Sequence, residues 1–360
     1  MRGITYIYEL SEWPDFQYNH GKVSGLLERV NFLQGQLHGR MEGFSPELRK
    51  QAIIQAMTHE IVASHAIEDT QFDYTEIESA IARSMKIRMQ GMVASSGMAK
   101  GAAEAIVAGI TNFDKKISAD MICQWQSKLY PGITPVGRND WRNTGLEIKD
   151  IKSKQTRFAA PAPEFLPQEM KKWISWMNQD QSQGSVIKSA ISQLWLLTLH
   201  PFPDGNGPIS RIISLMLIAQ SEKGLPRYYA PSAHILKEKD AYFQILESTQ
   251  KGNLDVTSWV EWYLGILEKS ILELKLTQAV VLNKQKLEDK MAAVGLSARQ
   301  KSVLRKMSAL EKPYFTSQEW AREAGYSTDT ALREIRMLLN LRLLQKLPRG
   351  GRSTCYKIVL

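Results

Sequence analysis

The sequence predicts a mainly α-helical protein that ends in a small basic domain. Three observations carry this. Apolar residues recur at helical spacing through most of the chain, as at Leu26, Leu27, Val30, Leu33 and Leu37. Strand-like stretches are short: Leu146-Glu147-Ile148 follows a turn-rich loop, and Tyr356 to Val359 closes the chain. The charge is uneven, because residues 299–360 hold 13 Lys/Arg against 5 Asp/Glu and so carry eight of the nine net positive charges. At 360 residues, with 43% hydrophobic and 23% charged content, the chain suits two or three globular domains.

The elements follow in order. The amino-terminal stretch MRGITYIYELSEWPDF has early acidic residues and no apolar core, so it does not read as a secretory signal. No run of about 18 apolar residues occurs, which argues against a membrane span. Cys123 and Cys355 lie far apart without metal-ligand spacing and read as thiols in a reducing compartment. A cytoplasmic location is therefore expected. Val23 to Leu37 reads as a helix. Pro46 to about Met85 reads as helix, break, helix, with the break near Ser64-His65-Ala66-Ile67-Glu68-Asp69. Residues 86–127, rich in Ala and Met, read as helices. Residues 131–150 form a loop with turn signals at Pro131-Gly132, Pro135, Gly137 and Asn139-Asp140, and Arg157 to Ala162 continues an irregular part. A helix starting near Pro167 carries Met170, Trp173 and Trp176 into the core. After residue 220, Leu225 to Leu236 reads as irregular, Asp240 to Gln250 as helix, and Val256 to Leu267 as the last core helix. Leu267 to Ala293 is an amphipathic run, suited to connecting two domains and to pairing in a homodimer.

The densest chemistry lies at His200-Pro201-Phe202-Pro203-Asp204-Gly205-Asn206-Gly207-Pro208-Ile209-Ser210-Arg211. A buried apolar helix, Ile191 to Leu199, ends there, and another, Ile209 to Ala219, begins. Gly205 and Gly207 permit positive φ and a close approach of backbone N–H groups to an anion. The helix starting near Pro208 turns its positive end to the same spot. Asp204 suits a divalent cation on a polyphosphate, Asn206 a donor to phosphate oxygen, His200 a proton acceptor, and Arg211, one helical turn on, a grip on a terminal phosphate.

This stretch resembles the signature of the Fic family, H-P-F-x-D/E-G-N-G-R-x-x-R, at every fixed position except one: Pro208 stands where the family has its first arginine. The resemblance implies a helical core with a short β-hairpin flap, and transfer of AMP from ATP to a hydroxyl side chain of a target protein. His200 would be the base and Asp204 would hold Mg²⁺. Gly205, Asn206 and Gly207 would hold the phosphates, and Arg211 the γ-phosphate. Ser64 and Glu68 match the family's inhibitory motif, Ser or Thr, three residues, Glu, then Gly or Asn; Asp69 departs at the last position. The implied lock is a Glu68–Arg211 pair that keeps the arginine from the γ-phosphate. Residues 131–150 resemble the flap that aligns the target segment as an added strand. Tyr242 to Glu247 resembles the segment that closes over adenine, with Tyr242 and Gln250 expected at the base. The stretch 1–45 resembles the helical extension of bacterial Fic proteins.

The tail reads as helices at 298–310, 317–324 and 328–341, followed by a hairpin tipped with Arg349-Gly350-Gly351-Arg352. It resembles a winged helix–turn–helix domain. That resemblance puts Ser327, Thr328, Thr330 and Arg333 at base edges of DNA, and Arg349 and Arg352 on phosphates; a module used for protein contacts stays open. The expected domains are 1–110, 111–270, a linker helix 271–294, and 295–360. Because Pro208 removes a guanidinium and an N–H together, two alternatives also stay open: a catalytically weakened, Fic-like DNA-binding regulator, and a transferase of another phosphate-containing group.

Overall fold

Fourteen α-helices and five short strands are seen in the computed structural model, which describes residues 5–89, 91–132, 141–149, 156–179, 185–308, 314–347 and 354–359, with backbone alone at 275–286 and 288–289. The chain divides into two compact units, Met1–Leu274 and Lys275–Leu360.

In the first unit, α1 (His20–Met41), α2 (Pro46–Ala66), α3 (Tyr74–Ser84), α4 (Gly97–Thr111) and α5 (Ala119–Leu129) each start on a residue that caps the free N–H groups of the first turn. The capping side chains are Asn19, Ser45, Asp73, Ser96 and Ser118. The small residues of 91–109 have a packing role. A Cβ on Gly101 would lie 1.9 Å from the Lys128 carbonyl oxygen, and one on Gly109 would lie 2.9 Å from Ile212 Cγ2. Only glycine lets α4 approach its neighbours that closely.

β1 (Glu147–Lys149) and β2 (Thr156–Ala159) form an antiparallel hairpin that pairs Glu147 with Ala159 and Ile148 with Phe158. This corrects the irregular reading of 157–162: Phe158 is buried against Tyr6 and Tyr8, and the pairing comes from the partner strand rather than from local pattern. Pro135, Gly137, Asn139 and Asp140 lie outside the described residues. Next come α6 (Leu166–Met177), α7 (Ser185–Leu199), α8 (Asn206–Ser221), α9 (Pro231–Lys237), α10 (Lys239–Gln250) and α11 (Thr257–Ala292). The first-unit core packs α7 and α8 against α2, α4, α5 and α6, with Trp173, Trp195, Leu196, Phe202, Ile213 and Ile106 at its centre.

Two further readings are corrected. Pro231 to Lys237 is a helix, α9, begun by proline in its first turn and held by the buried Glu60 carboxylate, which accepts from the Ser232 N–H (2.9 Å) and hydroxyl. The helix at 256–267 does not stop there but runs on to Ala292.

In the second unit, α12 (Ala298–Ser308), β3 (Phe315–Thr316), α13 (Ser317–Ala324), α14 (Thr328–Asn340), β4 (Leu344–Lys346) and β5 (Cys355–Ile358) surround Trp320, Leu304, Ile335, Leu338 and Leu344. Its sheet has the antiparallel order β3-β5-β4. Thr316 and Glu319 form a capping box at α13, and Gly325 ends that helix at φ 70°. Thr328, Thr330 and Arg333 are exposed along the first turns of α14, while Arg349 and Arg352 lie outside the described residues. Among the described residues no helix is long and apolar enough to cross a membrane.

Candidate active site

The loop between α7 and α8 is built as an anion cradle. His200, at φ 48°, turns the chain out of α7, and Gly205, at φ 86°, turns it into α8. The helix thus begins at Asn206, and Pro208 stands at its third position, not its first. The first N–H to find a carbonyl in the helix is that of Ile209, bonded to Gly205. Asn206 and Gly207 therefore present N–H groups at the positive end of the helix, where Pro208 has none. A Cβ on Gly205 would strike the Tyr130 ring at 2.5 Å, which explains glycine there.

Asn206 does something other than what its amide suggested. Its Oδ1 accepts from Phe202 N (2.9 Å) and its Nδ2 donates to Phe202 O (2.8 Å), so the 2% exposed side chain braces the loop. Asp204 is exposed. One of its oxygens accepts from Gly205 N at 2.7 Å, leaving the other free. Among the described residues no group of three or more His, Cys, Asp or Glu forms a metal cluster. One exposed carboxylate beside the N–H groups of a helix start fits a Mg²⁺ ion held chiefly by phosphates and water.

His200 is half-buried. Its Nδ1 lies 3.3 Å from the Leu197 carbonyl, which fixes the proton on Nδ1 and leaves Nε2 as the acceptor. Burial, helped by the nearby Arg142 charge, pushes its pKa down to about 4. The imidazole is neutral at physiological pH, as a base must be.

Arg211 is buried, and its Nε and Nη2 bond to Ser64 of α2 and to Glu68 in the turn after it. Nε donates to Ser64 Oγ (2.7 Å), and Nη2 donates to Ser64 O (2.7 Å) and Glu68 Oε1 (3.0 Å). Glu68 reaches far into the cradle: a Cβ on Gly207 would lie 1.4 Å from Glu68 Oε1 and 3.0 Å from Arg211 Nη2. Burial pushes the Glu68 carboxyl up, and the adjacent guanidinium opposes that. A second tie, Lys239 to Asp69 at 2.6 Å, holds the turn after Glu68 to the start of α10.

The expected base contacts have no such geometry. Tyr242 is 2% exposed, packed against Trp259, Trp262 and Phe243 with its hydroxyl beside Arg211 and Gln193; Gln250 is 3% exposed and donates to Thr198 Oγ1 at 3.3 Å. Both belong to the interior, because α10 turns this face toward α7 and α11 instead of toward a cleft. The loop, Ser64, Glu68 and Arg211 thus come together, and Tyr242 and Gln250 stand behind them. Sequence reasoning did not single out Arg142, Tyr130 or Lys239 for any role, although Trp141-Arg142-Asn143 was visible as the lead into the hairpin.

The structure is thus a helical scaffold with a histidine-led, glycine-bearing loop at a helix start. Comparison with known families makes this specific: residues 116–218 match the Fic/DOC family, and residues 6–87 match a domain of unknown function, DUF4172. Residues 116–218 thus carry a Fic/DOC domain. Similar curated proteins include protein adenylyltransferase fic-1 of Caenorhabditis elegans, 24% identical over 39% of this chain and 25% of that protein. Protein adenylyltransferase Fic of Nematostella vectensis is 21% identical over 68% of this chain and 55% of that protein. The matches span about a quarter to a half of those relatives' length. Among solved structures, a Fic family protein from Desulfovibrio desulfuricans aligns with TM-score 0.54 at 18% identity, covering 94% of this chain and 96% of the other. Fic-1 from C. elegans aligns with TM-score 0.50 at 17% identity, covering 72% of this chain and 74% of the other. At these identities the likeness is one of fold.

Proposed function

We propose that the protein is an adenylyltransferase that moves AMP from ATP to hydroxyl side chains of target proteins and of itself, and that Glu68 holds it inactive. The observation that carries this reading is the Glu68 carboxylate lodged against Gly207 and paired with Arg211 at 3.0 Å. That carboxylate stands at the positive end of α8, in space a phosphate oxygen would need. A site that served only as scaffold would have no use for a neutral base, an exposed carboxylate and a half-buried carboxylate paired with a buried guanidinium in one place.

In the open state Asn206 and Gly207 N–H groups bind phosphate oxygens, and Arg211, released from Glu68, holds the γ-phosphate. Asp204 would hold Mg²⁺, which would supply neutralisation of phosphate charge. A target segment pairs with the hairpin, whose β1 is exposed along its length. Nε2 of His200 takes the proton from the target hydroxyl as its oxygen bonds to the α-phosphorus; the bond to the bridging oxygen breaks and pyrophosphate leaves.

The second unit supports a further role in binding DNA as a winged helix. Its residues 299–360 carry the eight-charge excess, and Thr328, Thr330 and Arg333 lie exposed at the start of α14. Pro208 favours the rival reading, a regulator that senses nucleotide with weak or no turnover.

The test is to incubate the chain, Glu68→Gly, and Glu68→Gly/His200→Ala with Mg²⁺ and ATP labelled on the α-phosphate. Label on protein in Glu68→Gly alone is the expected outcome. Equal labelling of the unmodified chain would remove the lock, and no label in any sample would favour the regulator.

A further inference from the structure

Arg142 is the most heavily bonded side chain near the site that the proposed chemistry does not use. It is 4% exposed. Its Nε donates to His200 O at 2.8 Å and Nη1 to Thr144 O at 2.8 Å. Nη2 donates to Pro161 O and, at 3.5 Å, to Leu199 O. The backbone N–H of the same residue donates to Pro201 O at 2.8 Å. These acceptors fall into two groups. Leu199, His200 and Pro201 are the turn that carries the base. Thr144 and Pro161 are the two feet of the hairpin, just before β1 and just after β2.

Each acceptor is a neutral carbonyl. A buried cation is costly unless hydrogen-bonded, and a planar fork with five donors meets four carbonyls from different directions where an ammonium with three cannot. The His200 carbonyl also needs holding, because a non-glycine residue in the left-handed region, here at φ 48°, is strained and persists only where its surroundings fix it. Tyr8 adds a tie on the same side, its hydroxyl donating to Ala159 O at 2.9 Å.

We infer that Arg142 is a positioning residue that locks the hairpin stem and the His200 turn into one piece, so that the acceptor hydroxyl presented by the hairpin and the base meet in register. The inference rests on the proposed adenylyl transfer for its purpose, but its geometry stands apart from that reading. The groups bearing on the His200 ring are the Leu197 carbonyl on Nδ1 and the Arg142 charge, with Asp204 further along the loop and exposed to solvent.

The experiment uses the full chain with Arg142→Gln and Arg142→Lys, each alone and with Glu68→Gly. Three readouts are taken: histidine titration by NMR, with His200 assigned by its loss in His200→Ala; hydrogen exchange at the hairpin amides; and transfer kinetics. In the unmodified chain His200 stays neutral down to about pH 4. In Arg142→Gln its midpoint is expected to rise, with faster exchange at Ile148 and Phe158 and unchanged exchange in α7 and α8. Arg142→Lys keeps the charge but loses the fork, so it is expected to free the hairpin while leaving the His200 midpoint nearer its original place. In the Glu68→Gly background kcat is expected to fall about 100-fold with KM for ATP within about twofold, the pattern of a misplaced base. Unchanged titration and unchanged hairpin exchange in a folded Arg142→Gln protein would overturn the inference. If Arg142→Gln does not fold, Arg142→Lys decides it: hairpin exchange as slow as in the unmodified chain refutes the lock. Absence of transfer in Glu68→Gly itself would defeat the proposed function instead, and the NMR and exchange readouts would still judge Arg142.

Discussion

Gly207→Ala puts the geometry of the lock to a quantitative test. The new Cβ would lie 1.4 Å from Glu68 Oε1 and 3.0 Å from Arg211 Nη2. Real carbon–oxygen contacts sit near 3.4 Å, so the carboxylate must retreat by roughly 2 Å. That breaks the 3.0 Å bond to Arg211. A hydrogen bond between charged partners contributes about 1.5–3 kcal/mol, so the single substitution should cost that much stability, beyond a gain of several tenths of a kcal/mol from alanine's better helix propensity. With Glu68→Ala already in place the 1.4 Å clash is gone and only the 3.0 Å contact with Arg211 Nη2 remains, so Gly207→Ala should then cost much less. Urea unfolding of the four proteins closes a double-mutant cycle with an expected coupling of about 1.5–3 kcal/mol. The same methyl also fills the cradle, so Gly207→Ala should weaken ATP binding even in Glu68→Ala, which no loss of the lock alone would do. An equal cost in both backgrounds would refute the claim that Glu68 and the face of Gly207 share one space.

Further expectations concern other parts of the site. Pro208→Ala restores one N–H at the start of α8 and is expected to tighten ATP binding about fivefold in Glu68→Gly, for a bond of about 1 kcal/mol; unchanged affinity by calorimetry would mean the donor does not face phosphate. His200→Ala in the same background should cut transfer by at least about 100-fold while ATP binding is retained, and full turnover would end its role as base. Burial holds His65 and His200 at about 4, below the ordinary histidine value of 6.5. The unfolded chain therefore binds more protons between pH 4 and 6.5, so stability should rise with pH across that window, the buried His65 contributing on the order of 3 kcal/mol. A flat unfolding midpoint from pH 4 to 6.5 would contradict this. Arg333→Ala should weaken DNA binding by about 1–3 kcal/mol and relax sequence preference, as loss of a base-edge contact does, and no change would remove α14 from the interface.

What could be read from residues alone follows from where the partners sit in the chain. The loop from His200 to Arg211 was legible because its chemistry is contiguous, whereas Ser64 and Glu68 stood out only through their resemblance to the family's inhibitory motif. Arg142 was not, because its partners are backbone carbonyls, which every residue has and no spacing reveals. Tyr242 and Gln250 show a related limit: an aromatic and an amide on a helix look the same in sequence whether the face is turned to a cleft or to α7, and here both are buried. The strand at Thr156–Ala159 was hidden because pairing with β1 defines it, and α9 because seven residues are too few for a helical period to show. Glu68 illustrates the limit of motif reading. Its match suggested a pair with Arg211, but only the structure has its oxygen pressed against Gly207, which ties the glycine's identity to the carboxylate.

The central claim is that this site transfers the α-phosphorus of ATP to protein. The most direct measurement runs Glu68→Gly with Mg²⁺ and ATP labelled in parallel samples on the α- and γ-phosphate, and reads label on the protein after denaturing separation. The account predicts label from the α-position alone, dependent on His200. Label from the γ-position would show phosphate transfer and contradict it.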